Sequence, residues 1–117
     1  AHWGKVGKIE LPVIRIKKSR EQLREFQYGQ LDRIEDVKIL NTDQNNNIWI
    51  KVIYYNGVEE KTLGEILKFD KDGNYLNRIY LNENEAQNES EVTKEGKAYQ
   101  LRKEKEWQLA EYGYEAK

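Results

Sequence analysis

The chain has 117 residues, of which 35% are charged and 38% hydrophobic, and its mean hydropathy is −1.00. This length fits one small domain, and the 8 Tyr, 3 Trp and 2 Phe argue against a disordered chain. A formal net charge of −1 disfavours a nucleic-acid groove, and the lack of cysteine excludes disulfides, zinc knuckles and thiol nucleophiles.

The first predicted element is a strand over Ile9–Lys18, in which Pro12 indicates a sheet edge or a bulge. The following segment, Ser19–Gly29, has two interpretations. Ser19 and Gln22 form a capping-box pattern that predicts a short helix. Comparison with later parts of the chain favours a turn followed by a strand, so both interpretations stay open.

The strongest predicted strand is Ile48–Tyr55, which is apolar on both faces except at Lys51. A strand of this kind is typically buried between two layers. A shorter strand, Val37–Asn41, precedes it, and Asn56-Gly57 after it is typical of a tight hairpin turn with positive φ.

Two further strands, Thr62–Phe69 and Asn74–Leu81, flank a turn at Asp70–Gly73. The next segment, Asn82–Glu91, is acidic and low in complexity, which predicts a loop or a mobile connector. A final pair of strands is predicted in the tail: Lys97–Lys103 and Trp107–Tyr114.

The chain also contains a weak internal repeat. An offset of 50 residues places Trp49 on Tyr99, and an offset of 53 places Ile14 on Leu67. These matches indicate a unit of roughly 45–50 residues, which is typical of propeller blades.

Within 37–81, Asp43 precedes an Asn-rich turn and the aromatic strand of Trp49, and later come Phe69-Asp70 and Asp72-Gly73. This order resembles one blade of a six-bladed β-propeller of the TolB-like or NHL-repeat type. The resemblance implies an all-β fold of antiparallel four-stranded blades, a partial β-propeller. It divides the single domain as follows: 1–36 as outer strands of one blade, 37–82 as a full blade, and 83–117 as a partial blade after the mobile acidic loop.

About two blades cannot close a ring alone, because propellers have about 4–8 blades. The resemblance therefore implies either a piece of a longer protein or the joining of several copies. The alternative fold is a small β-barrel or sandwich with one short helix near 19–28.

Aromatic residues are the candidate binding residues. One group lies on the central strand and suits a stacking platform: Trp49, Tyr54 and Tyr55. The other lies towards the termini and suits contact with another chain: Trp3, Trp107, Tyr112 and Tyr114. A place in the hydrophobic core is the alternative for both groups.

A weak metal-site candidate is the Asn-rich turn. Asp43, Asn45 and Asn47 have the one-three-five spacing of a calcium loop, although Ile48 stands where that loop needs glycine. The alternative is a turn without metal, and we expect no cofactor.

The sequence favours a non-catalytic binding or assembly module that binds itself or another protein, without nucleic acid or a membrane span. The one histidine, His2, offers little for histidine-based catalysis. The alternative is a propeller-type hydrolase or lyase whose channel site other chains complete, with Asp43 as a candidate. Ala1 at the start and the lack of cysteine favour an exported protein, periplasmic or extracellular. A small-molecule ligand is not indicated.

Overall fold

A computed structural model describes the backbone of residues 5–6, 9–10, 13–18 and 31–114, and the side chains of residues 31–112. These residues form ten strands and no helix, which confirms the all-β prediction. The segment 19–28, where a helix was the alternative, lies outside the described residues. The strands are β1 (Lys5–Val6), β2 (Ile9–Glu10), β3 (Val13–Lys18), β4 (Arg33–Thr42), β5 (Ile48–Asn56), β6 (Lys61–Phe69), β7 (Tyr75–Leu81), β8 (Ser90–Val92), β9 (Ala98–Lys103) and β10 (Trp107–Tyr114).

Strands β4 to β7 form an antiparallel sheet in chain order, which we call sheet 1. Strand β5 lies inside it, so that Val52 is opposite Val37 on one side and Glu65 on the other. Trp49 on one face of β5 and Val52 on the other are both buried, as expected of a strand that is apolar on both faces. The described strands do not close into a barrel.

Sheet 2 has the strand order β3-β10-β9-β8. The pairs β8–β9 and β9–β10 are antiparallel, whereas β3 is parallel to β10, with Val13 opposite Leu109. The N-terminal strand β3 therefore belongs to the C-terminal sheet, and not to a separate blade as the sequence predicted. Local patterns do not reveal such a pair, because parallel strands need a long connection between them.

The hydrophobic core lies between the two sheets. We call the face of sheet 1 that carries Trp49, Ile66 and Ile79 its inner face, because these residues join the core cluster with residues of sheet 2. Small side chains let the layers approach closely. The remaining buried members of the cluster are Leu81, Ala86, Val92, Ala98, Ala110 and Tyr112.

The acidic segment between β7 and β8 closes one end of this core. The carbonyl of Asn82 accepts hydrogen bonds from the backbone N–H of Glu85 (3.0 Å) and of Ala86 (2.9 Å), and both Glu85 and Ala86 are buried. The segment is therefore a loop, as one of the two interpretations predicted, but Glu85 and Ala86 are buried in it. The polar composition of the segment gave no indication that Ala86 and the carboxylate of Glu85 are buried.

The turn between β5 and β6 also differs from the prediction. The positive φ occurs at Glu60 (55°) and not at Asn56-Gly57. Gly57 is required for another reason: a Cβ atom there would lie 2.3 Å from the carbonyl oxygen of Leu31. The glycine thus permits close approach of the chain that leads into β4.

Candidate functional site

Three turns at the same end of the two sheets share one geometry: Asp43–Asn47, Asp70–Asn74 and Thr93–Lys97. In each, the N–H of the first residue donates to the carbonyl of the fifth at 2.9 Å, and the N–H of the fourth donates to the carbonyl of the first. The fourth residue has positive φ in every case: Asn46 (63°), Gly73 (86°) and Gly96 (87°). The first and third turns are 50 residues apart, the offset that the sequence comparison found.

Asp43 organises the first turn through both carboxylate oxygens. Oδ1 accepts hydrogen bonds from the backbone N–H of Asn45 (2.9 Å) and of Asn47 (3.0 Å). Oδ2 accepts from Nδ2 of Asn47 (3.3 Å) and from Nε1 of Trp49 (2.9 Å). Burial raises the pKa of Asp43, but these hydrogen bonds outweigh it, so the pKa lies below its ordinary value of 3.8.

The same geometry bears on the metal candidate. Four N–H donors surround the Asp43 carboxylate: the backbone N–H groups of Asn45 and Asn47, Nδ2 of Asn47 and Nε1 of Trp49. Within residues 31–112, no three His, Cys, Asp or Glu side chains are grouped as a metal site would need. The arrangement therefore gives Asp43 a role in forming the turn.

Asp43 also lies where the two sheets meet. Nδ2 of Asn41 donates to the carbonyl of Val92 at 2.7 Å, and the N–H of Gln44 donates to the carbonyl of Lys94 at 2.7 Å. Because the Trp49 ring belongs to the core and its Nε1 binds Asp43, the carboxylate connects the turn to the core.

The aromatic residues predicted to bind a ligand are placed in different surroundings. Trp49 and Tyr112 are buried in the core between the sheets. Tyr55 is half-buried, with the guanidinium carbon of Arg33 5.0 Å from its ring centroid. Tyr54 is buried and lines a cleft of about 440 Å³ together with Tyr80 and Glu85 among others.

The residues predicted near the termini do not form one group within the described residues. Trp107 is exposed on β10, with Nζ of Lys103 5.4 Å from its ring centroid. Tyr112, five residues further along β10, is buried. Trp3 and the side chain of Tyr114 lie outside the described residues.

Sequence reasoning missed a buried polar network around Glu85. Its carboxylate accepts hydrogen bonds from the hydroxyl of Tyr112 and from the N–H of Asn82 (3.2 Å). Nη1 of Arg102 lies 3.9 Å from Oε2 of Glu85. Gln100, fully buried, donates to the carbonyl of Glu85 at 2.7 Å. Burial, and then the hydrogen bond to Glu85, raise the pKa of Tyr112. No local signal separated Glu85 from its exposed acidic neighbours.

A second feature missed by the sequence is a concentration of exposed apolar side chains along β4. Ile34, Val37 and Ile39 lie opposite Tyr54, Val52 and Ile50, so they share the outer face of sheet 1. Leu31 before β4 and Val58 in the adjoining turn are exposed as well. These five residues, which we call the β4 apolar strip, are five of the seven exposed large hydrophobic residues in the described part of the chain.

No protein-family model matches this chain, and no curated protein or solved structure matches it. Among the described residues, no helix is long and apolar enough to span a membrane.

Proposed function

We propose that this chain is a non-catalytic assembly module that pairs with a second copy of itself through strand β4. The β4 apolar strip is the observation that carries this proposal. Val37 and Ile39 are 57% and 74% exposed, although residues of their type are usually buried. Contiguous apolar surface on a soluble protein commonly marks a contact with another protein.

The position of β4 favours contact through its edge. In the order of the described strands β4 is one end of sheet 1. Its later end contacts β8 and the turn after it, through Asn41 and Gln44, so pairing with a second copy would use the part of the edge before Asn41. Its neighbours on the outer face, Val52 on β5 and Leu67 on β6, are already buried within the chain. A partner that approaches the outer face of sheet 1 therefore contacts apolar side chains mainly on β4.

The charges of β4 fit a second copy in one register. Irregularities in pairing bound the regular segment Asp36–Ile39. If two copies pair antiparallel with Val37 opposite Val37, each Asp36 lies opposite Lys38 of the other copy. In one chain these two side chains already form an ion pair at 3.6 Å. Opposite charges facing each other across strands are favourable, and like charges are not.

Light scattering on the full chain at increasing concentration tests this proposal. We expect twice the chain mass of 14.0 kDa. Asp36→Lys and Lys38→Asp each place like charges opposite each other twice, and each should raise the dissociation constant about tenfold. The double variant, in which both substitutions are combined, should restore pairing because the opposite charges face each other again.

The matched control is Trp107→Lys, which changes an exposed aromatic residue of sheet 2 and should leave the mass unchanged. A monomer at every concentration, or a double variant no better than the single ones, would rule out pairing through β4. Three times the chain mass would also rule out this two-chain pairing and would favour a closed ring of three chains.

A further inference from the structure

Lys51 is a buried lysine on the inner face of sheet 1. It is 3% exposed, and its Nζ donates a hydrogen bond to the carbonyl of Asn88 at 2.5 Å. It lies opposite Lys38 on β4 and Ile66 on β6. A lysine this deeply buried is rare unless a carboxylate pairs with it, but the acceptor at Asn88 is a neutral carbonyl.

Lys51 is one of the residues that line a polar cavity of about 150 Å³. It lies between β4 and the segment that leads into β8. Since one water takes about 30 Å³ in the liquid, the cavity holds a molecule of a few heavy atoms. Its lining residues are Lys38, Ile39, Leu40, Lys51, Gln87, Asn88, Glu89 and Ser90.

The surroundings of Lys51 increase the fraction of its amine that is neutral. Burial, and then the charge of Lys38, lower the pKa of Lys51 to about 8, against weaker opposing effects of Glu89, Asp36 and Glu85. A neutral amine carries the lone pair that attacks a carbonyl carbon.

We propose that Lys51 is a reactive amine that forms an imine with a small carbonyl compound carrying a carboxylate. The Nζ lone pair attacks the carbonyl carbon, and proton transfer gives a carbinolamine. Loss of water from the carbinolamine then gives the imine, so no oxidant or reductant is consumed.

Lys38 supplies the preference for a carboxylate. Directly opposite residues on antiparallel strands have Cβ atoms about 5 Å apart, so a molecule of few atoms spans from one lysine to the other. The Lys38 side chain is 57% exposed, and its ion pair with Asp36 at 3.6 Å leaves it free to exchange partners. Lys38 and Ile39 belong both to this cavity and to the segment proposed to pair with a second copy, so the site is tested on a single chain.

The test is reductive trapping of the full chain with glyoxylate and cyanoborohydride, followed by peptide mapping by mass spectrometry. The reaction is run at a dilution at which light scattering shows one chain, which separates it from pairing. We expect the amine of Lys51 to be modified at least tenfold faster than that of exposed Lys71. This advantage should disappear in urea, which unfolds the chain.

Two variants check the assignment. Lys51→Arg keeps the positive charge without a nucleophilic amine and should remove the fast modification. Lys38→Gln should slow modification of Lys51 by glyoxylate several-fold but leave modification by propionaldehyde, which has no carboxylate, unchanged. Equal rates at Lys51 and Lys71 in the folded wild type would overturn the proposal. An equal effect of Lys38→Gln on both aldehydes would overturn the carboxylate preference.

Discussion

Asp43 and Asp70 begin turns with the same backbone geometry, yet they lie in different surroundings. The side chains of both accept hydrogen bonds from the backbone N–H groups of the third and fifth residues of the turn. Asp43 is buried and also accepts from Nε1 of Trp49, whereas Asp70 is partly exposed. The same residue type therefore contributes differently to stability at the two positions.

We expect Asp43→Ala to lower the free energy of unfolding by about 2–4 kcal/mol, because it leaves the buried Nε1 of Trp49 and two backbone N–H groups without their acceptor. Asp70→Ala, the matched variant of the exposed turn, should cost clearly less. Urea unfolding followed by circular dichroism measures both. Equal losses of unfolding free energy in the two variants would show that the hydrogen bond from Trp49 to Asp43 adds nothing to stability.

The lowered pKa of Asp43 also predicts how stability depends on pH. Because its folded pKa lies below the ordinary 3.8, its contribution is present above that pH and is lost as the pH falls through the folded pKa. Asp43→Asn should therefore show a shallower loss of stability than wild type below about pH 4. Acid unfolding curves of the two proteins give the comparison; parallel curves would contradict it.

At the scale of elements, three turns of different sequence adopt one geometry because each meets the same backbone requirement. The fourth residue must have positive φ, which glycine adopts without strain and asparagine with little. The first residue must accept from the N–H of the fifth, and Thr93 does so through its hydroxyl at 3.1 Å. The first position of this turn is therefore occupied by aspartate or threonine, and the fourth by asparagine or glycine.

The first turn predicts which substitutions the second tolerates. Asn46 occupies the position equivalent to Gly73, so Gly73→Asn should lower the free energy of unfolding by less than about 1 kcal/mol. Gly73→Val introduces a β-branched side chain and should lower it by about 1–2 kcal/mol. No atom lies within 4 Å of a Cβ placed at Gly73, so backbone strain alone separates the two variants. Thermal unfolding measures the difference, and equal midpoints would refute it.

At the scale of the whole molecule, the two sheets depend on one shared core. Residues of both sheets and of the turn 82–89 make up the buried cluster, and Ile66 at its centre is fully buried. Loss of packing at one point should therefore weaken both sheets together.

Ile66→Ala should lower the free energy of unfolding by about 2–5 kcal/mol, because it leaves a cavity between the sheets. Hydrogen exchange should show amides of β5 and of β9 losing protection to the same extent. Val58→Ala is the control, since Val58 is 79% exposed and its truncation should change stability by less than about 0.5 kcal/mol. Loss of protection confined to β5 would show that the sheets unfold independently.

The sequence by itself determined the strands of sheet 1 and two of the three turns between them, those that begin at Asp43 and Asp70. Alternating apolar residues defined β5 and β6, and Asp70 to Gly73 defined the turn after Phe69, because both signals depend on neighbouring residues. The repeat of 50 residues was likewise visible, and the structure gives both copies the same turn.

Only the tertiary structure decided which side chains meet across the two sheets. It placed Trp49 in the core, turned Glu85 inward against Tyr112, paired β3 in parallel with β10, and buried Lys51 beside a cavity. Each of these contacts joins residues far apart in the chain, and their burial depends on the packing of both layers. Local residue patterns carry no information about such partners, so Glu85 and Lys51 could not be distinguished from exposed charged residues before the two sheets were assembled.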